Sequence, residues 1–338
     1  MAADEGIRTA ISELERAQSL ALVTHRGPDG DAIGSSLALA LALRERGREV
    51  RLYARAEDIG APRVLEGLEM LIPPEEAGKA PRPDLLVCLD CASRDRISVP
   101  FFRDRIESFR SLCIDHHESN PRFCNANFVA GDASSTGELV WDILQAAGWP
   151  VSRKMAEALW VAITTDTGRF SYSCTHPSTL ECAAALLRLG IRHEYLNDEV
   201  FSKAEAKAIR LKARAYASLE LWFGGAAAVI SLDAGDYAAC GCGKADSEDF
   251  VDIPRAVRGA RMAVFIYRSR ADETKTHLSI RSCGPDSAVD FAALFGGGGH
   301  RAAAGATLDC GMAEAKVRVE EALGRFLGVQ SHSPASPR

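Results

Sequence analysis

Short apolar runs alternate with helical segments through the first half of the chain. Four of these runs have the length and composition of buried strands, at 20–24, 49–54, 85–89 and 112–114. A helix is predicted between the first two, from about Ser35 to Arg46. Such alternation is typical of parallel strands joined by crossover helices. It predicts an α/β sheet whose ligands lie beyond the carboxyl ends of the strands.

The second half of the chain is predicted to begin with helices and to continue with a further sheet. Apolar positions three and four apart predict helices over 151–164 and 177–189. Three strands and a glycine-rich turn are predicted after them, at 226–232, 263–269, 276–282 and 295–306. These later elements predict a second α/β unit.

The predicted organisation is two domains with a helical connection. The segment 194–219 is rich in Lys, Ala, Glu and Arg, a composition that favours a semi-rigid helix. A chain of 338 residues is also about twice a typical domain length, so each half can form its own core. We therefore expect a parallel-sheet domain with flanking helices over 1–193, the linker, a smaller α/β domain over 220–329, and a frayed polar tail over 330–338.

Composition and net charge exclude several classes of protein. Hydrophobic residues make up 47% and charged residues 25% of the chain, as in ordinary globular proteins. The longest apolar run, 37–43, is too short to cross a membrane and no export signal is recognisable, so we expect a cytoplasmic protein. The formal net charge of −6 argues against binding along long nucleic acids, because Lys and Arg contacts to phosphate dominate that affinity.

Cysteines and a local basic segment are weaker candidates for chemistry. The ten cysteines are expected to be reduced, and Cys88 and Cys91 form a C-x-x-C pair without the second pair that a zinc ribbon needs. The segment 254–281 carries seven basic and two acidic residues, which makes it a candidate phosphate-facing patch. On charge alone, a solvated strand face with scattered arginines is the favoured interpretation.

Four polar clusters stand at the ends of predicted strands or helices. They contain the carboxylates and imidazoles that hard or borderline divalent metals prefer. The clusters are His25, Asp29 and Asp31 after the first strand, Asp90 after the third, Asp115, His116 and His117 after the fourth, and Asp166 at the end of a helix. Any one of them is explained by a helix cap, a turn or a hydrogen-bonded histidine. Their joint occurrence predicts a metal site.

At these motifs the chain resembles the DHH superfamily of phosphoesterases, specifically the oligoribonuclease and pAp-phosphatase type called nanoRNase. HRGPDGDAIGS (25–35), Asp90, DHH (115–117) and TDTG (165–168) resemble the metal motifs of that family in order. SIRS (279–282) and GGGGH (296–300) resemble its DHH-associated substrate domain. The resemblance covers nearly the whole chain and implies a DHH fold for the first domain.

The resemblance implies two Mn²⁺ ions, for which Mg²⁺ or Co²⁺ could substitute. One ion would be held by His25, Asp29 and Asp90, and the other by Asp31, Asp90, His116 and Asp166. Two such ions can share and activate one water for attack on phosphorus. His117 resembles the family histidine beside the scissile phosphate, which either stabilises charge or protonates the leaving oxygen. Asp115 is expected to accept a hydrogen bond from a neighbouring imidazole.

Substrate contacts are implied for the second domain. By resemblance, the contacting residues are Ser279, Gly297, Gly298, Gly299, His300 and Arg281. Consecutive glycines let a backbone approach a phosphate closely, and their N–H groups would form an anion nest. A flexible loop is the alternative explanation of the same glycines. In this family, a cleft between the two domains would limit substrates to short nucleotides.

We therefore expect a hydrolase that cuts short oligoribonucleotides to 5′-mononucleotides and removes the 3′-phosphate of pAp. A relative acting on c-di-AMP or on its linear product pApA would use the same metal chemistry, so that alternative stays open. A family II inorganic pyrophosphatase is disfavoured by the SIRS and GGGGH segments, and an inactive nucleotide-binding regulator by the complete ligand set. No membrane partner is expected, and the sequence leaves a homodimer open.

Overall fold

The computed structural model describes residues 2–55, 59, 61–247, 249–268 and 274–329. These residues divide into two compact units on either side of the Lys203–Ala204 bond. The predicted α/β class is confirmed, because each unit is built on its own six-stranded sheet with helices packed against it. The predicted tail, 330–338, lies outside the described residues, as does Ser269 at the end of a predicted strand.

The first unit is a parallel sheet flanked by helices. Its described strands are β1 (Ser19–Val23), β2 (Glu49–Tyr53), β3 (Leu71–Ile72), β4 (Leu85–Leu89), β5 (Ser111–Asp115) and β6 (Ala126–Val129). Its described α-helices are α1 (Ala2–Arg16), α2 (Gly30–Glu45), α3 (Pro100–Arg103), α4 (Thr136–Ala146), α5 (Arg153–Asp166), α6 (Pro177–Arg188) and α7 (His193–Asn197). All six strands are parallel in the order β3-β2-β1-β4-β5-β6, so their carboxyl ends share one edge.

Two glycines of α2 allow this helix to pack closely against α5. Gly34 lies against the carbonyl oxygen of Ala158, and Gly30 lies against the side chain of Thr165. A Cβ atom at either glycine would overlap those atoms. The close approach brings the N-terminus of α2 and the C-terminus of α5 to the same edge of the sheet.

Helix α2 begins at Gly30, earlier than the predicted start at Ser35. The carboxylate of Asp29 caps the helix by accepting hydrogen bonds from the N–H groups of Asp31 and Ala32. Glycine-containing segments have low helix propensity, which hid this first turn from the sequence pattern. Burial of the segment and the Asp29 cap outweigh that propensity.

The second unit has a mixed sheet. Its described strands are β7 (Glu220–Trp222), β8 (Ala227–Leu232), β9 (Met262–Tyr267), β10 (Thr276–Ser282), β11 (Gly298–Gly299) and β12 (Ala303–Leu308). Its described α-helices are α8 (Ala206–Ala217), α9 (Ala234–Cys240), α10 (Asp252–Arg255), α11 (Ala288–Ala293) and α12 (Met312–Leu327). The order is β11-β12-β10-β9-β8-β7, and among these pairs only β8 and β9 are parallel.

The segment predicted as one helical linker, 194–219, is interrupted in the structure. A π-helical turn, Asp198–Ser202, follows α7, and a new helix begins at Ala206. Leu211 and Ala215 of α8 are buried in an apolar cluster of the second unit, so this helix belongs to that unit's core. None of the helices that the described residues form is both long enough and apolar enough to cross a membrane.

Candidate metal centre

The carboxyl edge of the first sheet gathers the polar clusters that the sequence singled out. His25 lies in the loop after β1, Asp90 follows β4 directly, and Asp115 is the last residue of β5. The N-terminus of α2 contributes Asp31, and the C-terminus of α5 contributes Asp166. Three overlapping groups of these side chains could hold metal ions: His25, Asp29 and Asp90; Asp31, His116 and Asp166; and Asp90, His116 and His117. We call the six predicted ligands among them, His25, Asp29, Asp31, Asp90, His116 and Asp166, the candidate metal centre.

The first group surrounds the imidazole of His25. Its Nε2 atom lies 3.3 Å from Oδ2 of Asp90 and 3.8 Å from Oδ2 of Asp29. Its Nδ1 atom lies 3.0 Å from the carbonyl oxygen of Arg26, which accepts a hydrogen bond when that nitrogen carries the proton. That tautomer leaves the Nε2 lone pair facing the two carboxylates, as metal coordination requires.

The second group surrounds the imidazole of His116. Its Nε2 atom lies 3.1 Å from Oδ2 of Asp166 and 3.9 Å from Oδ2 of Asp31. The same nitrogen lies 3.7 Å from Oδ1 of Asp90, whose Oδ2 faces His25. Asp90 therefore presents one oxygen to each group, which is the arrangement of a carboxylate that bridges two cations.

The electrostatics of this buried site favour a bound cation. Burial and the neighbouring carboxylates raise the pKa of Asp31 well above its usual range, and they raise the pKa of Asp166 to about 8. Burial opposes the charge on His25, but its hydrogen bonds with Asp29 and Asp90 raise its pKa to about 10, so a cation that binds Nε2 must displace a proton from it. Four carboxylates and two imidazoles are donors that hard or borderline divalent ions prefer, so these residues fit a metal.

Asp90 has a strained backbone that its neighbours hold in place. Its φ angle of 54° lies in the left-handed region, which residues other than glycine rarely adopt. Its N–H donates to the carbonyl oxygen of Ile114 at 3.0 Å, and the hydroxyl of Thr136 donates to its Oδ1 at 3.2 Å. Strained backbone conformations of this kind are most common at functional sites, where contacts with the surrounding structure hold them in place.

The N-terminus of α4 donates hydrogen bonds to a carboxylate of the candidate metal centre. The sequence did not predict this contact. The N–H groups of Thr136 and Gly137 donate to the two oxygens of Asp31, at 2.7 and 2.8 Å. Ser135 and Glu138 mark this helix start in the sequence, because a serine followed by glutamate three residues later is typical of an N-cap. Helix N-termini attract anions, but nothing in the sequence indicates which carboxylate this one would hold.

His117 is oriented by a chain of two hydrogen bonds. Its Nδ1 donates to Oδ1 of the fully buried Asp115 at 2.7 Å, and this bond raises the pKa of His117. Oδ2 of Asp115 accepts a hydrogen bond from Nδ2 of Asn120 at 2.6 Å. Nδ1 also lies 3.6 Å from Oδ1 of Asp90. Because both carboxylates are near Nδ1, the other ring nitrogen, Nε2, can contact a substrate.

The orientation of the Asn120 amide is determined at both of its ends. Its Oδ1 accepts a hydrogen bond from the N–H of Arg122 at 2.7 Å, so Nδ2 must be the donor toward Asp115. Nδ2 also donates to the carbonyl oxygen of Cys91 at 3.0 Å. The sequence analysis did not select Asn120. An asparagine three residues after a histidine pair is an ordinary turn signal, which does not reveal that it contacts a buried carboxylate.

The residues implied for substrate binding lie on the second sheet. Ser279 and Arg281 occupy the partly exposed face of β10 and pair with Gly305 and Ala303 of β12. His300 is exposed in the turn between β11 and β12, where its N–H donates to the carbonyl oxygen of Ala303. The three predicted side chains therefore belong to the same sheet and its connecting turn.

Two positions of the glycine run leave no room for a Cβ atom, and Gly296 has a φ angle of 70°, which favours glycine. A Cβ atom at Gly297 would overlap the carbonyl oxygen of Gly305, and one at Gly299 would overlap that of Ala303. Gly298 has open space at its Cβ position and pairs with Gly305. The segment thus contains the short strand β11, and its use as an anion nest stays a prediction.

Three of the seven basic residues in the segment 254–281 form ion pairs with acidic residues. Its described ion pairs are Arg255 with Asp252 at 2.9 Å, Arg261 with Asp286 at 2.8 Å and Arg268 with Asp233 at 3.6 Å. Arg270, Asp272 and Glu273 lie outside the described residues. Because these three arginines are paired with carboxylates, we favour the interpretation of the segment as a solvated strand face over that of a phosphate-binding patch.

Comparison with known proteins gives matches over nearly the whole chain. The family model described as "DHH family, N-terminal domain" matches residues 19–163. A bifunctional oligoribonuclease and PAP phosphatase NrnA from Thermus thermophilus is 37% identical over 290 residues, covering 85% of this chain and 83% of the relative. The protein of the same name from Bacillus subtilis is 27% identical over 308 residues, covering 88% and 93%.

A solved structure has the same fold across both units. The crystal structure of an exopolyphosphatase-related protein from Bacteroides fragilis matches with a TM-score of 0.86 and 27% identity, and the match covers 96% of each chain. The sequence motifs alone indicated a resemblance to the DHH superfamily. Related sequences and the fold of a solved structure now confirm it.

Proposed function

This chain belongs to the DHH family of phosphoesterases and is a hydrolase, and on that premise we propose that it cuts short oligoribonucleotides to 5′-mononucleotides and removes the 3′-phosphate of pAp. The names of the relatives from Thermus thermophilus and Bacillus subtilis support both activities. The observation that carries the proposal is the pair of ligand groups that share Asp90, with His117 beside them.

We propose Mn²⁺ as the metal, because mixed carboxylate and imidazole donors suit it. His25, Asp29 and Asp90 would hold one ion, and Asp31, His116 and Asp166 would hold the other together with Asp90, whose Oδ1 lies 3.7 Å from Nε2 of His116. When bound, the ions would supply an activated water and neutralise charge on the phosphoryl oxygens. Thr136 would keep the shared carboxylate of Asp90 in position through its hydroxyl.

His117 is proposed to act on the leaving oxygen. Asp115 stabilises the protonated imidazole, and the hydrogen bond at Nδ1 directs Nε2 away from Asp115. As the bond between phosphorus and the 3′-oxygen breaks, a proton on Nε2 can pass to that oxygen, while the oxygen of the activated water, which has released one proton to solvent, bonds to phosphorus. Asp115 and Asn120 hold the ring without contacting the reacting atoms.

The second unit is proposed to bind the rest of the nucleotide. Arg281 and His300 would face phosphate, with the hydroxyl of Ser279 and the N–H group of Gly298 as hydrogen-bond donors. A protein with a formal net charge of −6 can hold a short anion with a few such groups. Binding along a nucleic-acid polymer would require many more positively charged contacts.

A product profile on the Mn²⁺-loaded chain tests the proposal. We expect turnover of pAp and of two- to five-residue RNA, with nucleoside 5′-monophosphates as products separated by ion-exchange chromatography. Asp90→Asn should abolish turnover with an unchanged fold, while Asp104→Asn, an exposed aspartate of the same unit, should not. Preference for c-di-AMP or pApA would replace the proposed substrates, and tight binding of pAp without turnover would favour a regulator.

A further inference from the structure

Two exposed arginines lie next to the candidate metal centre. Arg26 follows the ligand His25 directly, and Arg96 ends the 3₁₀ turn Arg94–Arg96 after β4. Within the described residues neither of the two forms an ion pair. Nη2 of Arg26 donates to the carbonyl oxygen of Asp95 at 3.1 Å, and Nη2 of Arg96 lies 3.4 Å from Nδ1 of His25. Most N–H donors of these two residues, which we call the arginine pair, are therefore available to a ligand.

The backbone places the arginine pair on one face. The N–H of Arg26 donates to the carbonyl oxygen of Arg96 at 2.8 Å. The neighbouring residues His25 and Ile97 form an antiparallel bridge, so Arg26 and Arg96 lie directly opposite each other. Cβ atoms at such positions are about 4.5–5.5 Å apart, and like charges there are destabilising. An anion bound between the two guanidinium groups would offset that repulsion.

The space beside Arg26 is large enough for such an anion. Arg26 lines a pocket of about 410 Å³, within the range of about 300–1,000 Å³ typical of small-molecule sites. The other charged residues of its lining, Arg55 and Glu75, form an ion pair at 3.2 Å, so Arg26 gives the lining a net positive charge. Gly27 has open space at its Cβ position, which lets a ligand approach the backbone closely. Guanidinium groups match the geometry of phosphate oxygens, so phosphate is the anion that this site suits.

The side of the His25 ring on which Arg96 lies indicates which phosphate would bind. A cation at the candidate metal centre would bind Nε2 of His25, whereas Arg96 is close to Nδ1. With metal at Nε2, Nδ1 carries the proton and donates to the carbonyl oxygen of Arg26, so it cannot accept a hydrogen bond from Arg96. The guanidinium group is then left for a ligand that is separated from the metal by the imidazole ring. A phosphate next to the reacting one would lie there.

We propose that the arginine pair binds the phosphate on the 3′ side of the reacting phosphate in an RNA substrate. The proposal rests on the proposed function, in which the second phosphate of pAp lies on the 5′ side and binds at Arg281 and His300. Because pAp has no phosphate on the 3′ side, the site acts on RNA chains and not on pAp. It increases affinity for chains long enough to carry a further linkage beyond the one that is cut.

Steady-state kinetics on the full chain with Mn²⁺ test the site with three substrates. They are pAp, an RNA trinucleotide, and the same trinucleotide with an uncharged methylphosphonate at its second linkage. Release of the 5′-terminal nucleotide reports cutting of the first linkage. For the wild-type chain, the methylphosphonate should raise KM about tenfold, because one charge-assisted contact is lost.

Arg26→Gln and Arg96→Gln should each lower the ratio of kcat/KM for the trinucleotide to that for pAp about tenfold. In either variant the two trinucleotides should have similar KM values, because the group that contacts the second linkage is already absent. Arg26→Gln should not lower the melting temperature, since it removes a like-charge repulsion.

Arg94→Gln is the matched control. It removes one positive charge from the same 3₁₀ turn as Arg96, but Arg94 is ion-paired with Glu107. The control should keep the wild-type ratio of trinucleotide to pAp and the wild-type difference between the two trinucleotides.

Calorimetric binding of the two trinucleotides separates this proposal from the proposed function. If the chain turns over no substrate, the proposed function fails, and weaker binding of only the fully charged trinucleotide by both variants still supports the site. The site is wrong if the wild-type chain treats the two trinucleotides alike. It is also wrong if the variants lose pAp and the trinucleotide equally, or if Arg94→Gln changes their ratio as much.

Discussion

Replacing Asn120 by alanine tests whether the support of Asp115 matters for catalysis. The substitution removes the 2.6 Å hydrogen bond to a fully buried carboxylate, the 3.0 Å bond to the carbonyl oxygen of Cys91 and the 2.7 Å bond from the N–H of Arg122. A hydrogen bond to a charged group contributes about 1.5–3 kcal/mol and one to a neutral carbonyl about 1 kcal/mol. With two bonds of the second kind, we therefore expect the free energy of unfolding to fall by about 3.5–5 kcal/mol.

The catalytic effect should appear in kcat rather than in KM. Without Asn120, the Asp115 carboxylate can turn away from His117, so fewer imidazole rings point Nε2 at the leaving oxygen. Loss of such an outer partner typically costs about 10–100-fold in activity. We expect kcat for pAp to fall within that range while KM changes less than about threefold.

Asn127→Ala is the matched control in steady-state assays and thermal unfolding. Asn127 also hydrogen-bonds loop backbone with both ends of its amide, through the N–H and carbonyl of Cys124, but it does not contact Asp115. It should lose stability and keep kcat. Wild-type kcat in a folded Asn120→Ala enzyme, or an equal loss of kcat in Asn127→Ala, would refute the reasoning.

Three further measurements address metal, packing and pH. Chelation should abolish turnover and lower the melting temperature, with both restored by Mn²⁺, because a cation bound only to the folded state stabilises it. Gly34→Ala should destabilise by about 1–3 kcal/mol in urea titrations, since its Cβ would overlap the Ala158 carbonyl, whereas Gly235→Ala, with open space, should not. Arg192 lowers the pKa of the buried Glu157. Glu157→Gln should therefore cost about 1–2 kcal/mol at pH 7, and the cost should vanish as pH falls through that lowered pKa.

The sequence alone determined the α/β class and the side chains that carry the proposed chemistry. A polar residue directly after a buried apolar run falls at the carboxyl edge of a parallel sheet, and Asp90 and Asp115 are such residues. The strand β12 escaped prediction, because its alanines and glycine have low strand propensity and only its neighbours β10 and β11 hold it in the sheet.

Only the tertiary structure decided what supports those side chains. Thr136 lies 46 positions from Asp90, and Asn120 reaches Asp115 only because a turn folds back under β5. One pocket at this edge of the sheet is lined by Arg26, Arg55, Glu75 and Ser98, which follow four different strands. The physical reason is that hydrophobic periodicity reports the burial of each residue separately, whereas hydrogen-bond partners and cavities depend on which segments packing brings together.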